Sequence, residues 1–162
     1  MTPSGSAGAG EFMKPVIFLD IDGVLNRAHS WRRYATREHC TQRGHIDREC
    51  LVVLNRAIKQ SGAEIVLSSS WRLFQGADRR VGRLLRKLGV KGVCVGRTPH
   101  LGGEMRGDEI AAWLRSHGWR RFAIVDDDAD MRHLSRWLVK TKFQSGLLPS
   151  HGAKLSHLLE SR

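Results

Sequence analysis

The sequence predicts an α/β fold, a three-layer sandwich built on a central parallel sheet. Short, nearly continuous apolar runs recur along the chain, as strands covered on both faces require. Segments with helical apolar spacing separate them, and the links between the two kinds are short. Strands that alternate with helices in this way form a parallel sheet with helices on both faces.

The first strand is read at residues 15–21 (PVIFLDI), a β-branched and aromatic run. Asp47 is a fitting N-cap for a helix that places Leu51, Leu54 and Ile58 on one face and ends near Gly62. Residues 64–67 form a second buried strand. Val81, Leu84, Leu85 and Leu88 follow i, i+3, i+4, i+7 spacing, with Gly89 as the stop. A short third strand is expected at 93–95. Ile110, Trp113 and Leu114 mark a helix closed by Gly118, residues 122–125 a fourth strand, and 138–142 a fifth. Leu155, Leu158 and Leu159 predict a last helix. Residues 1–12 (MTPSGSAGAGEF) read as a tag or linker, leaving 13–162 as one domain. The stretch 26–46 follows no period and carries many cations, which suits a functional loop.

Composition narrows the function classes. No apolar run approaches the ~20 residues that cross a bilayer. Cys40, Cys50 and Cys94 are odd in number and widely spaced, which argues against a disulfide framework and for a reducing, cytoplasmic setting. With 27 Lys and Arg against 16 Asp and Glu, the chain carries a formal charge of +11. That surplus favours polyanionic partners, nucleic acid ahead of an anionic membrane surface.

The sharpest feature is Asp20-Ile21-Asp22-Gly23 at the end of an apolar strand. In an extended chain Asp20 and Asp22 point to the same side, and Gly23 permits the sharp turn that follows. A second acidic cluster, Asp126-Asp127-Asp128-Ala129-Asp130, ends strand 122–125 and emerges at the same sheet edge. Open parallel sheets bind ligands at the carboxyl ends of their strands. Carboxylates gathered there repel one another, and a hard cation such as Mg²⁺ relieves the repulsion. Between the clusters, strand 64–67 ends in Ser68-Ser69-Ser70-Trp71-Arg72, whose hydroxyls and N–H groups suit phosphate oxygens. Ser69 and Ser70 also read as helix caps, and Asp128 as a surface residue. Arg106 and Lys91 are the candidate cations for a transferring phosphoryl group.

These residues in this order resemble the haloacid dehalogenase (HAD) superfamily of phosphotransferases. Asp20-Ile21-Asp22-Gly23 matches its first motif and Ile65-Val66-Leu67-Ser68 its second. Arg106 best fits the third, and Ile124-Val125-Asp126-Asp127 the fourth. More narrowly, DIDGVLN, IVLSSSWR, RGDEIAAWL and VDDDAD are similar to the small branch associated with Swiss Army Knife RNA-repair proteins. The resemblance implies a HAD-like Rossmannoid domain without a large cap. It also implies phosphoryl transfer in which Asp20 attacks phosphorus and Asp22 protonates the leaving oxygen and then activates water. Mg²⁺ would be held by the Asp20 carboxylate, the Asp22 backbone carbonyl and Asp126, with Asp127 as a further ligand. Ser68 would bind a phosphate oxygen and Arg106 would stabilise charge. Intact Asp22 favours a phosphatase over a dehalogenase.

The implied substrate is a phosphorylated nucleic-acid end, RNA ahead of DNA. Gly23, Ser69 and Arg72 at the edge are expected to contact it. The basic segment 27–43 is expected to guide the polyanion, with Arg32 and Arg33 on phosphates and Trp31 stacking on a base. Two alternatives stand beside this: a phosphatase of a small phosphometabolite, and a non-catalytic nucleic-acid-binding module. Cys40, His45 and Cys50 lack a fourth zinc ligand at the right spacing, and Trp113, Trp119 and Trp137 read as packing residues.

Overall fold

The structure is a computed structural model that describes residues 13–30, 46–73 and 77–160. The tag or linker read at 1–12 lies outside the described residues, as do Trp31, Arg32 and Arg33.

Five strands form one parallel sheet: β1 (Val16–Leu19), β2 (Glu64–Leu67), β3 (Cys94–Arg97), β4 (Phe122–Asp126) and β5 (Leu138–Lys140). Their order is β3-β2-β1-β4-β5. The helices are α1 (Arg48–Ser61), α2 (Ala77–Lys87), α3 (Arg106–His117) and α4 (Gly152–Leu159). A 3₁₀ turn over Arg132–Trp137, rather than a full helix, carries β4 to β5.

Residue alternation along β1 divides the core into two layers. Ile17 and Leu19 pack with Leu54 and Ile58 of α1, Val81 and Leu85 of α2, and Leu155 and Leu159 of α4. Val16 and Phe18 face the other way, against Ile110, Trp113 and Leu114 of α3. Phe18 stands edge-on to Trp113 and Phe122, with ring centroids 5.4 and 5.8 Å away. Both faces of β1 are therefore dry, which is why its sequence is apolar without interruption. The predicted three-layer α/β sandwich with a parallel centre is the observed one.

Several boundaries shift for local reasons. The chain leaves β1 at Leu19 rather than Ile21, because the Ile21 carbonyl accepts the N–H groups of Val24 and Leu25 and closes a turn. Strand β3 runs beyond the expected 93–95 because it is an edge strand: Val95 and Arg97 are exposed, so it needs no apolar run. Strand β5 stops at Lys140. Asp47 does stand at the N-cap of α1, yet its carboxylate makes no cap. It accepts from Ser30 Oγ at 2.8 Å and pairs with Arg27 Nε at 3.1 Å. Gly62 closes α1 in the left-handed region, with φ of +68°. No helix among the described residues is long and apolar enough to cross a membrane.

Strand order sets the place of any ligand. The chain steps from β1 to β2 on one side and returns to β4 on the other. The crevice beyond the carboxyl ends of β1 and β4 is thus the switch point where such sheets bind ligands.

Candidate active site

In-register pairing of β1 with β4 sets Leu19 beside Val125, so the next residues, Asp20 and Asp126, leave the sheet as neighbours. The Asp20 N–H donates to the Val125 carbonyl at 3.0 Å, extending the ladder by one bond. One carboxylate oxygen each from Asp20, Asp126 and Asp127 lies within 4.8 Å of the other two. Asp20 and Asp126 are buried. Asp126 Oδ1 accepts the Asp128 N–H at 2.9 Å, whereas Oδ2 is buried with no hydrogen-bond partner.

Electrostatics follow from that burial. Desolvation pushes the Asp20 carboxyl up to about 6, against the opposing pull of the Arg106 guanidinium. Asp126 rises to about 7, by burial first and then by the Asp20 charge. Burial raises Asp127 as well. Three hard oxygen donors, with an unpartnered buried oxygen on one of the three residues, fit a Mg²⁺ ion.

Asp22 is not one of the three, although its charge adds to the rise at Asp127. Its carboxylate is held on both oxygens: Oδ1 accepts from Asn26 Nδ2 at 2.7 Å and Oδ2 from Trp71 Nε1 at 3.0 Å. The turn that begins at the Ile21 carbonyl follows directly on Asp20 and places Asp22 at its first corner. As a metal ligand Asp22 was expected to offer its backbone carbonyl, which this side-chain arrangement leaves open. Asn26 also accepts the Gly23 N–H through Oδ1 at 2.9 Å, so one buried side chain ties the turn and orients Asp22. Gly23 has φ of +74°, and a Cβ there would come within 2.4 Å of Asp127 Oδ2. Both conditions call for glycine.

Arg106 is the first residue of α3, and its Nε lies 4.0 Å from Asp126 Oδ2. The acidic loop holds it there. Asp130 Oδ2 accepts the Arg106 N–H at 3.1 Å, and the Asp130 carbonyl accepts the Gly107 N–H at 3.1 Å. A Cβ on Gly107 would meet the Met131 carbonyl at 2.2 Å, so only glycine lets helix and loop approach this closely. Lys91, the rival cation, is exposed on the link entering the amino end of β3, at the opposite end of the sheet. Its N–H donates to Asn55 Oδ1 there.

Ser68 ends β2 next to β1, its N–H donating to the Leu19 carbonyl at 3.0 Å. Its Oγ is buried and has no partner. Ser69 combines two expectations: its Oγ accepts the Trp71 N–H at 3.3 Å as a cap, and its hydroxyl reaches the Asp20 carboxylate. Arg72 departs from the expected contact with substrate. It is buried, paired with Glu109, and donates from Nη1 to the carbonyls of Ser68 and Ser69 at 3.1 and 3.0 Å. It supports the serine loop from below. Arg27, at the start of the expected guiding segment, is paired with Asp47 and Glu49. Asp128 is exposed, as expected.

Sequence reasoning passed over Asn26, Trp71 and Glu109. Asn26 carried a signal, since an Asn three residues after a turn glycine offers its side chain to that turn. A lone Glu109 in a helix carried none.

A parallel sheet of order 3-2-1-4-5 with a carboxylate trio at its switch point defines a HAD-like Rossmannoid domain. The chain belongs to the family described as the HAD domain in Swiss Army Knife RNA repair proteins, whose model matches residues 16–151. No curated protein and no solved structure shows a significant match to it.

Proposed function

We propose that the protein is a Mg²⁺-dependent phosphomonoesterase that works through an aspartyl-phosphate and acts on phosphorylated RNA ends. The observation that carries this reading is the convergence of Asp20, Asp126 and Asp127 within 4.8 Å, beside Arg106 and the unpartnered hydroxyl of Ser68. An RNA substrate is supported by the family's description and by the formal charge of +11.

Asp20, Asp126 and Asp127 would hold the ion, which when bound neutralises charge on the carboxylates and on the phosphoryl oxygens. A carboxylate oxygen of Asp20 attacks phosphorus, and the bond from phosphorus to the leaving oxygen breaks. Asp22, oriented by Asn26 and Trp71, gives the leaving oxygen its proton. In the second half, water attacks phosphorus, Asp22 takes the water's proton, and Asp20 is released with inorganic phosphate. The Ser68 hydroxyl and the Arg106 guanidinium bind phosphoryl oxygens throughout.

The test is phosphate release from matched 3′- and 5′-phosphorylated RNA oligonucleotides, with Mg²⁺ or EDTA, for wild type and Asp20→Asn. Release from one end that needs Mg²⁺ and is lost in the variant is the expected result. Folded protein that releases none from either end would overturn the reading.

A further inference from the structure

Helix α2 packs Val81 and Leu85 into the core and turns a different chemistry outward. Arg79, Arg80, Arg83, Arg86 and Lys87 are all exposed. At 100° per residue these five cations fall within an arc of about 120°, opposite the apolar stripe. Among the described residues none of the five is paired with a carboxylate. Five like charges on adjoining turns repel one another, so the face is kept at a cost to the helix.

Its placement ties it to the catalytic edge. The chain leaves the carboxyl end of β2 through Ser68 and the short turn Ser70–Leu73, then descends through α2 to the amino end of β3. Arg79 and Arg80 therefore lie toward the edge that carries Asp20, and Arg86 and Lys87 toward the far end. The helix runs about 16 Å at 1.5 Å per residue. A row of this length and charge, beginning beside the site, suits the sugar-phosphate backbone of a strand whose end enters it.

We infer that the outer face of α2 binds the phosphodiester backbone of single-stranded RNA next to the processed end. This rests on the RNA-end reading for its substrate, but its test measures binding and needs no turnover. The guiding role expected of the loop after β1 thus has a second seat, because Arg27 is already held by Asp47 and Glu49. Each cation that neutralises a phosphate adds about 0.7 to the downward slope of log K against log salt for a single strand.

The experiment uses the full chain carrying Asp20→Asn, so that substrate is not consumed, and a fluorescein-labelled single-stranded RNA. Anisotropy titrations across a series of monovalent salt concentrations give the slope. The triple variant Arg79→Gln, Arg83→Gln, Arg86→Gln keeps helix propensity nearly constant. A control triple, Arg56→Gln, Arg115→Gln, Arg136→Gln, removes the same charge from exposed arginines on other elements. Circular dichroism confirms that both fold. The α2 triple is expected to flatten the slope by about 2, with the control changing it by well under 1. Equal changes in the two triples would reduce the effect to net charge and overturn the proposal. So would an unchanged slope in the α2 triple, or tighter binding to anionic lipid vesicles than to RNA. Failure of phosphate release with α2-dependent binding intact would instead count against the catalytic reading alone.

Discussion

The guanidinium of Arg72 and the carboxylate of Glu109 face one another beneath the carboxyl-end edge of the sheet, each side chain only 5% exposed. Arg72 holds the carbonyls of Ser68 and Ser69, and Glu109 Oε1 accepts the Leu101 N–H at 3.1 Å. The pair thereby joins the serine loop after β2 to the link that precedes α3 and Arg106. Removing one partner leaves a buried charge without compensation. Glu109→Gln is expected to lower unfolding free energy by about 3–5 kcal/mol, read from urea denaturation. Arg72→Met with Glu109→Leu is expected to regain most of that stability while phosphatase activity stays low. Full recovery of both would show that the pair does not position the loop.

Gly107 makes a sharper steric prediction. Its Cα faces the Met131 backbone, which has no room to retreat because Asp130 is bonded to both Arg106 and Gly107. Gly107→Ala forces helix and loop apart and costs about 1–3 kcal/mol of stability. Arg106 moves with the helix, so kcat should fall further than the stability loss explains at a temperature where the variant is fully folded. Gly152→Ala, where a Cβ meets nothing within 4 Å, is the matched control and should be close to wild type.

The strands most deeply buried were the most legible in the sequence. Val16–Leu19 and Glu64–Leu67 are apolar because both faces are covered, and that needs no knowledge of partners. Asp20, Asp126 and Asp127 were legible for a related reason: a carboxylate directly after such a run must emerge at the sheet edge. The pairing of Arg72 and the partners of Asp22 were not. A surface arginine and a buried, paired one look alike until Glu109, 37 residues away, is brought beneath it. One of the two groups that hold the Asp22 carboxylate is Trp71, 49 residues distant. Long-range hydrogen bonds leave no local period to read.

Trp71 donates its indole N–H to Asp22 and is otherwise buried against the core. Trp71→Phe keeps an aromatic ring and removes that donor. One hydrogen bond is worth about 0.5–1.5 kcal/mol, so kcat should fall by up to about tenfold. KM should hold, since in the proposed reaction Asp22 acts on the leaving oxygen rather than on ground-state binding. A rise in KM at constant kcat would assign the indole to substrate binding instead.

The carboxylate cluster predicts a linked dependence on pH and Mg²⁺. Asp20 and Asp126 are raised from 3.8 to about 6 and about 7 by burial, so the folded protein holds these protons more tightly than the unfolded chain. Their contribution to stability is full below about pH 4 and is lost as pH rises through about 6 to 7. Metal ligands must be deprotonated, so Mg²⁺ should bind weakly near pH 5 and firmly near pH 8. The rise in Tm produced by Mg²⁺ should therefore grow across that interval, measured by thermal denaturation with excess Mg²⁺ or EDTA. Burial lowers the pKa of His151, so a histidine also contributes to the pH dependence of stability. Asp126→Asn isolates the cluster: it should stabilise the metal-free protein near pH 8 and abolish the Mg²⁺ increment at every pH. An increment that is flat with pH in wild type, or that survives in Asp126→Asn, would place the ion elsewhere.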